Sequence, residues 1–209
     1  MGTIEHLKWR YATKKFDATK KLSGEKLNIL KQAFNLTATS YGLQTIKMIV
    51  VSDQNIKQDL LKYAYGQSQI VDASHILVLC IQDDITEKDI DAYFDHVVEI
   101  RNTPESILQP YRANLKQIML DKTKEERMRW SSNQAYIALG NLMTVCAIEK
   151  IDACPMEGFM SEKFDEVLNL KAQNLKSILI MPVGYRAEDD MFADFKKVRK
   201  PLKEMVFDI

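Results

Sequence analysis

The chain has 209 residues with 29 basic and 29 acidic side chains, a formal charge of zero, so no overall field draws nucleic acid or an anionic membrane to it. No apolar run approaches the ~20 residues of a membrane span, and residues 1–10 lack the apolar block of a secretory leader. The expectation is one cytoplasmic domain over residues 1–209, burying roughly 70% of the surface its unfolded form would expose.

Ser23 opens the first predicted helix, in which Leu27, Leu30, Phe34 and Leu36 recur at helical spacing before a turn at Ser40 and Gly42. Residues 46–51 are apolar and largely β-branched, and residues 76–81 repeat the pattern, which predicts two strands buried on both faces. A helix over 54–63 separates them. Another over 87–100 sets Ile90, Tyr93, Phe94 and Val97 on one face, and Pro104 and Pro110 then interrupt the chain. From about 124 to 149 a Pro-free stretch carries Ala135, Leu139, Leu142, Met143 and Cys146 at i, i+3 and i+4 spacing, a central helix in which Gly140 permits close packing. Ser161 caps a short helix to Leu168, and residues 177–181 form a strand that Pro182 and Gly184 end. Helices outnumber strands, so the fold class is an α+β sandwich.

Chemistry is concentrated in few places. Cys80, Cys146 and Cys154 form no CxxC pair and are read as reduced packing residues, and His6, His75 and His96 match no metal-ligand spacing, so no metal is expected. No Gly-x-Gly-x-x-Gly fingerprint and no Ser-His-Asp pattern is present. The informative stretch is residues 153–159, Ala-Cys-Pro-Met-Glu-Gly-Phe, which joins two backbone breakers to a carboxylate. With an early basic pair, Arg10 and Lys14, and a late one, Lys197 and Arg199, it suggests a bound anionic cofactor.

Those segments, in that order, resemble the FMN-dependent nitroreductases over nearly the whole chain. The similarity begins at Arg10, Tyr11, Ala12, Thr13, Lys14, Lys15, Phe16 and Asp17. It continues with Ser40, Gly42 and Gln44, then with Gln69 ahead of residues 72–75, with Pro155 to Phe159, with residues 182–185, and with Lys197, Arg199 and Pro201. The resemblance implies a homodimeric α/β/α sandwich whose central, mostly antiparallel sheet is flanked by helices. It also implies FMN as cofactor, NADH or NADPH as electron donor, and ping-pong reduction of a small electron-poor acceptor, such as a nitroaromatic or quinone, through flavin N5. No residue is expected to act as a catalytic acid or nucleophile, because the flavin performs the chemistry.

The same resemblance supplies roles for this chain's residues. Arg10 and Arg199 are expected on the FMN phosphate, since guanidinium groups bind such oxygens through paired charge-assisted hydrogen bonds, with Lys197 assisting. Lys14 falls where an ammonium stabilises charge gained at N1. Pro155, Met156, Glu157 and Gly158 form the turn whose N–H groups meet N5 and O4, with Glu157 positioning and not acting as a base. Gln69, with Gln67 as its competitor, suits the pyrimidine edge. Thr39 and Ser40, with Gln44 nearby, match the segment that reaches the flavin from the other subunit. Tyr11 and Ala12 complete the binding set, although Ala12 stands where many members carry a hydroxyl, and Thr45 and Ile46 replace the common Pro and Trp. Tyr93, Phe94, Tyr111 and Arg112 are candidates to line the substrate pocket, with packing or surface roles as the reading that aromatic residues at helical spacing favour. Other readings are a flavin storage or sensing protein, a reductase of a pterin, enone or halogenated phenol, and an α+β dimer without cofactor.

Overall fold

Alternation along two apolar strands builds both layers of the core. The computed structural model describes residues 2–209. Its sheet contains β1 (Ile46–Val51), β2 (His75–Gln82), β3 (Asp152–Ala153) and β4 (Leu175–Gly184), in the order β1-β2-β4-β3 with every neighbouring pair antiparallel. On β2, Ile76, Val78 and Cys80 face one layer with Phe16, Ile70, Phe164 and Ile180. Leu77, Leu79 and Ile81 face the other with Leu179, Met181 and Val183. All six of those β2 side chains are fully buried, and each of the five aliphatic ones stabilises the fold by roughly 1.5–3 kcal/mol.

Nine α-helices are assigned among the described residues: α1 (Thr3–Trp9), α2 (Gly24–Asn35), α3 (Gln54–Leu61), α4 (Gln69–Asp72), α5 (Glu87–Arg101), α6 (Glu105–Leu120), α7 (Lys124–Ile148), α8 (Ser161–Val167) and α9 (Leu202–Met205). The long α7 starts at a reciprocal cap, Glu126 N donating to Thr123 Oγ1 at 3.2 Å and Thr123 N to Glu126 Oε2 at 2.7 Å. Its Ala138, Leu142 and Cys146 pack against the second face of the sheet. On α2, Ser23 caps as expected, accepting from Lys26 N at 3.2 Å. The architecture is the expected one, helices on both faces of an antiparallel sheet.

Several local expectations change. Pro182 does not end its strand: β4 runs through it to Gly184, and the Pro182 carbonyl accepts from Cys154 N at 3.0 Å. Proline forfeits only a donor there, and its carbonyl still takes part in the pairing. Pro110 lies inside α6, on an exposed stretch where the freed Ser106 carbonyl can face water, and Pro104 caps that helix. Met160, not Ser161, is the N-cap of α8, because the Ser161 hydroxyl instead donates to the Ser177 carbonyl at 2.6 Å. β1 is buried only at its ends, being the edge strand. Leu36 lies outside α2 and is 78% exposed. Gly140 faces open space within this chain, so close packing there is not seen.

Candidate functional site

A buried carboxylate gathers donors from the segment that follows α1. Asp190 is 4% exposed. Its Oδ2 accepts from Tyr11 Oη at 2.7 Å, Lys14 N at 2.9 Å and Lys15 N at 3.0 Å, and its Oδ1 accepts from Phe192 N at 3.1 Å. Burial pushes this carboxyl up, but those donors outweigh it and hold the group below its ordinary value. Burial, then the bond to Asp190, raises the Tyr11 phenol, so it stays a donor. The segment after α1 is thereby fixed against the turn at residues 190–192.

This junction brings the predicted phosphate ligands together. Arg10, Tyr11 and Ala12 from one end of the chain and Phe195, Lys197 and Arg199 from the other line a cavity of about 310 Å³ whose wall carries no carboxylate. The cations act on each other: burial, then Arg199, lowers Arg10, and burial, then Arg10, Arg199 and Arg186, lowers Lys197. A group of mutually repelling cations with no acidic wall is the complement of a multiply charged anion. At Ala12 only backbone is offered, and that backbone bridges Ala153, with Thr13 N donating to the Ala153 carbonyl at 3.2 Å. The neighbouring Thr13 hydroxyl is buried without a hydrogen-bond partner.

The bridge leads directly to the Pro-Met-Glu-Gly turn. Met156 exchanges backbone hydrogen bonds with Ile180, at 2.8 and 3.1 Å, and is buried, whereas Glu157 and Gly158 are exposed. The exposed Lys14 and the half-buried Arg10 both act on the Cys154 thiol, which burial pushes up and these cations pull back. Burial also pushes the Cys80 and Cys146 thiols up to about 12, which leaves them as packing residues.

Gln67, the competitor of Gln69, is the amide beside the turn. Its Nε2 donates to the carbonyls of Gly158 at 2.9 Å and Ala64 at 3.0 Å, which leaves its amide oxygen as the remaining polar group. Gln69 is 8% exposed at the start of α4. A Cβ on Gly158 would stand 3.3 Å from Gln67 Nε2, so the missing side chain admits this amide.

Thr39, Ser40 and Gln44 are placed elsewhere in the chain. Ser40 N donates to Gln134 Oε1 at 2.9 Å, Gln44 Nε2 to the Asn35 carbonyl at 2.9 Å, and the Thr39 hydroxyl is buried without a partner. None of the three lines the cationic cavity. Of the pocket candidates, Phe94 is 1% exposed in a cluster with Ile90, Leu115 and Met119, and Arg112 is held by Asp91, Asp95 and Glu105 at 2.7–3.2 Å. Both stand in packing or ion-pair roles, the second of the two readings given for them. Tyr111 is 44% exposed and stacks edge-on to Phe94, and Tyr93 packs beside Gly42.

Like Asp190, two further residues of the site carry no motif in the sequence. The Arg186 guanidinium lies 4.5 Å over both the Trp9 and Tyr11 rings and donates from Nε to Asp152 Oδ1 at 2.7 Å. Tyr136 on α7 donates to Glu157 Oε1 at 2.5 Å. Only position in the fold reveals either one.

Comparison with known proteins gives the family and the fold. Residues 7–185 match the Nitroreductase family. A Staphylococcus aureus protein provisionally named an NAD(P)H nitroreductase is 30% identical over 192 residues, covering 87% of this chain and 85% of that protein. Among solved structures, a Bacillus subtilis protein, YdfN, described provisionally as a nitroreductase, superposes with a TM-score of 0.88 at 18% identity over 99% of this chain and 98% of that one. A further such protein from Exiguobacterium sibiricum, solved in complex with FMN, gives 0.83 at 18% identity over 99% and 97%. A family match across most of the chain and a 30% identical relative of similar length place this protein in the nitroreductase family.

Proposed function

We propose that this chain is an FMN-dependent NAD(P)H oxidoreductase that reduces a small electron-poor acceptor, a nitroaromatic or a quinone. The observation that carries the proposal is the cavity where Arg10, Lys197 and Arg199 converge without a carboxylate in the wall, on a segment that the Ala12–Ala153 bridge ties to the strand just before the exposed turn at 157–158. That donor set fits a phosphate ester. The FMN-bound neighbour and the NAD(P)H nitroreductase names of the relatives support the same assignment.

FMN, when bound, supplies hydride acceptance from NADH or NADPH and hydride donation to the acceptor. The protein's share is positioning and electrostatics. Arg10 and Arg199 hold the phosphate, with Lys197 contributing charge. Lys14 brings an ammonium to the turn side of the site, where it favours an anionic reduced ring. Glu157 and Gly158 offer backbone N–H groups at an exposed turn, and Gln67 keeps an amide oxygen beside it. Thr39, Ser40 and Gln44, distant from the cavity in one chain, are assigned to a second subunit's flavin in a homodimer. The three cysteines are buried and unpaired, which suits a reducing, cytoplasmic setting. The 209 residues are taken as one functional unit.

The test is the visible spectrum of purified protein incubated with FMN, recorded before and after anaerobic NADH or NADPH and again after a nitroaromatic or quinone. Flavin absorbance that bleaches with nicotinamide and returns with acceptor is expected. A colourless protein after incubation sinks the assignment. Flavin that bleaches but is reoxidised by none of these acceptors favours a storage or sensing role.

A further inference from the structure

The exposed turn at residues 157–158 is held from two sides by elements distant in sequence. Gln67, between α3 and α4, fixes the Gly158 carbonyl, and Tyr136, on α7, donates its hydroxyl to Glu157 Oε1 at 2.5 Å. An O–H···O⁻ bond of that length is charge-assisted and roughly twice as strong as a neutral one. The bond to Glu157, followed by burial, raises the Tyr136 phenol, so it stays a donor wherever the carboxylate is ionised. An exposed glutamate otherwise samples several rotamers; this bond selects the one lying against α7.

We infer that Tyr136 is a positioning residue for Glu157: it holds the carboxylate against α7 and so fixes where one negative charge stands beside the flavin edge. The inference rests on the function proposed above. A ring that gains electron density on reduction is harder to reduce next to a carboxylate, and a donated hydroxyl disperses part of that charge. Without the hydroxyl, the carboxylate carries its full charge and moves freely over the exposed turn. The consequence falls on the flavin equilibrium and depends on Glu157 being ionised.

The experiment is a double-mutant cycle of Tyr136→Phe and Glu157→Gln in the full-length, FMN-loaded protein. It reads the FMN dissociation constant by fluorescence quenching and the flavin midpoint potential by dye equilibration. Tyr136→Phe is expected to leave FMN affinity within about twofold of wild type and to cut the ratio of reduced to oxidised flavin about threefold at fixed potential, a shift of roughly 15 mV to more negative values for a two-electron couple. In the Glu157→Gln background the same replacement is expected to produce no shift. An unchanged potential in Tyr136→Phe, an equal shift in both backgrounds, or a large loss of FMN affinity that Glu157→Gln does not remove overturns the inference. A protein that binds no FMN at all overturns the proposed function as well, which separates the two failures.

Discussion

Lys57 carries an ammonium group into a place with no exposed surface. Its Nζ donates to the Ala73 carbonyl at 2.6 Å and to Gln54 Oε1 at 3.2 Å, but no carboxylate pairs with it among the ion pairs found in the described residues. Burial, then the Lys21 charge, lowers this amine from 10.5 to about 8. Unfolded chains therefore bind more protons than folded ones between those two values, so the contribution of Lys57 to stability rises with pH across that window. The penalty is full below about pH 8 and fades toward pH 10.5. Relative to Lys57→Met, the wild type is expected to gain about 2 kcal/mol on going from pH 7.5 to pH 10, by urea unfolding at each pH. A difference that stays constant between those pH values would show that the buried amine does not titrate as described. Asp190 is the opposite case: its depressed carboxyl supplies stability at neutral pH that is lost only as pH falls below its ordinary 3.8.

Close approach between elements, not conformational freedom, explains the glycine at the end of β4. A Cβ on Gly184 would stand 3.0 Å from Ser74 N and 3.2 Å from Phe16 Cδ1. The Ser74 hydroxyl in turn accepts from Leu22 N at 2.8 Å, so three segments meet at that spot. Gly184→Ala is expected to lower stability by about 1–3 kcal/mol, because backbone and a buried ring must both yield. Gly158→Ala meets only the end of the flexible Gln67 side chain, at 3.3 Å, and is expected to stay within about 0.5 kcal/mol of wild type. Thermal unfolding of the pair checks this, and equal losses would refute the distinction. The strands themselves were readable because β-branched runs on β2 and β4 alternate between two apolar faces. Their limits were not, since Pro182 reads as a stop until Cys154 is seen bonding its carbonyl, and β1 reads as central until the sheet order makes it an edge. The same holds for the site: Arg10, Lys197 and Arg199 are conspicuous in sequence, but Asp190, which joins their segments, belongs to no motif. Tyr136 and Glu157 lie 21 residues apart, and Arg186 and Asp152 lie 34 apart, separations that no helical or strand period records.

At the scale of the whole molecule, one edge of the sheet and one end of the chain stand open together. β1 has no neighbour on its outer side among the described residues, and a groove of about 520 Å³ runs along it, lined by Ile46, Met48, Val50, Phe34, Thr39 and Gln44 among others. An unpaired edge of this kind is a template for another strand. After α9 the chain is extended at Val206, and Val206, Phe207 and Ile209 are exposed. Apolar side chains left this open in one subunit are expected to be covered in the homodimer proposed above, the tail of one copy lying against the edge of the other. That arrangement also sets the second copy beside Thr39 and Gln44, residues assigned to the partner's flavin. Sedimentation of the full-length protein is therefore expected to give twice the 24.1 kDa chain mass. Phe207→Glu combined with Ile209→Glu is expected to shift the population toward monomer and to weaken FMN binding at least tenfold, with the far-ultraviolet circular dichroism of the chain unchanged. A variant that remains dimeric with wild-type FMN affinity would place the contact between copies elsewhere on the surface, and a monomeric variant that keeps full FMN affinity would show that one chain completes the site without its neighbour.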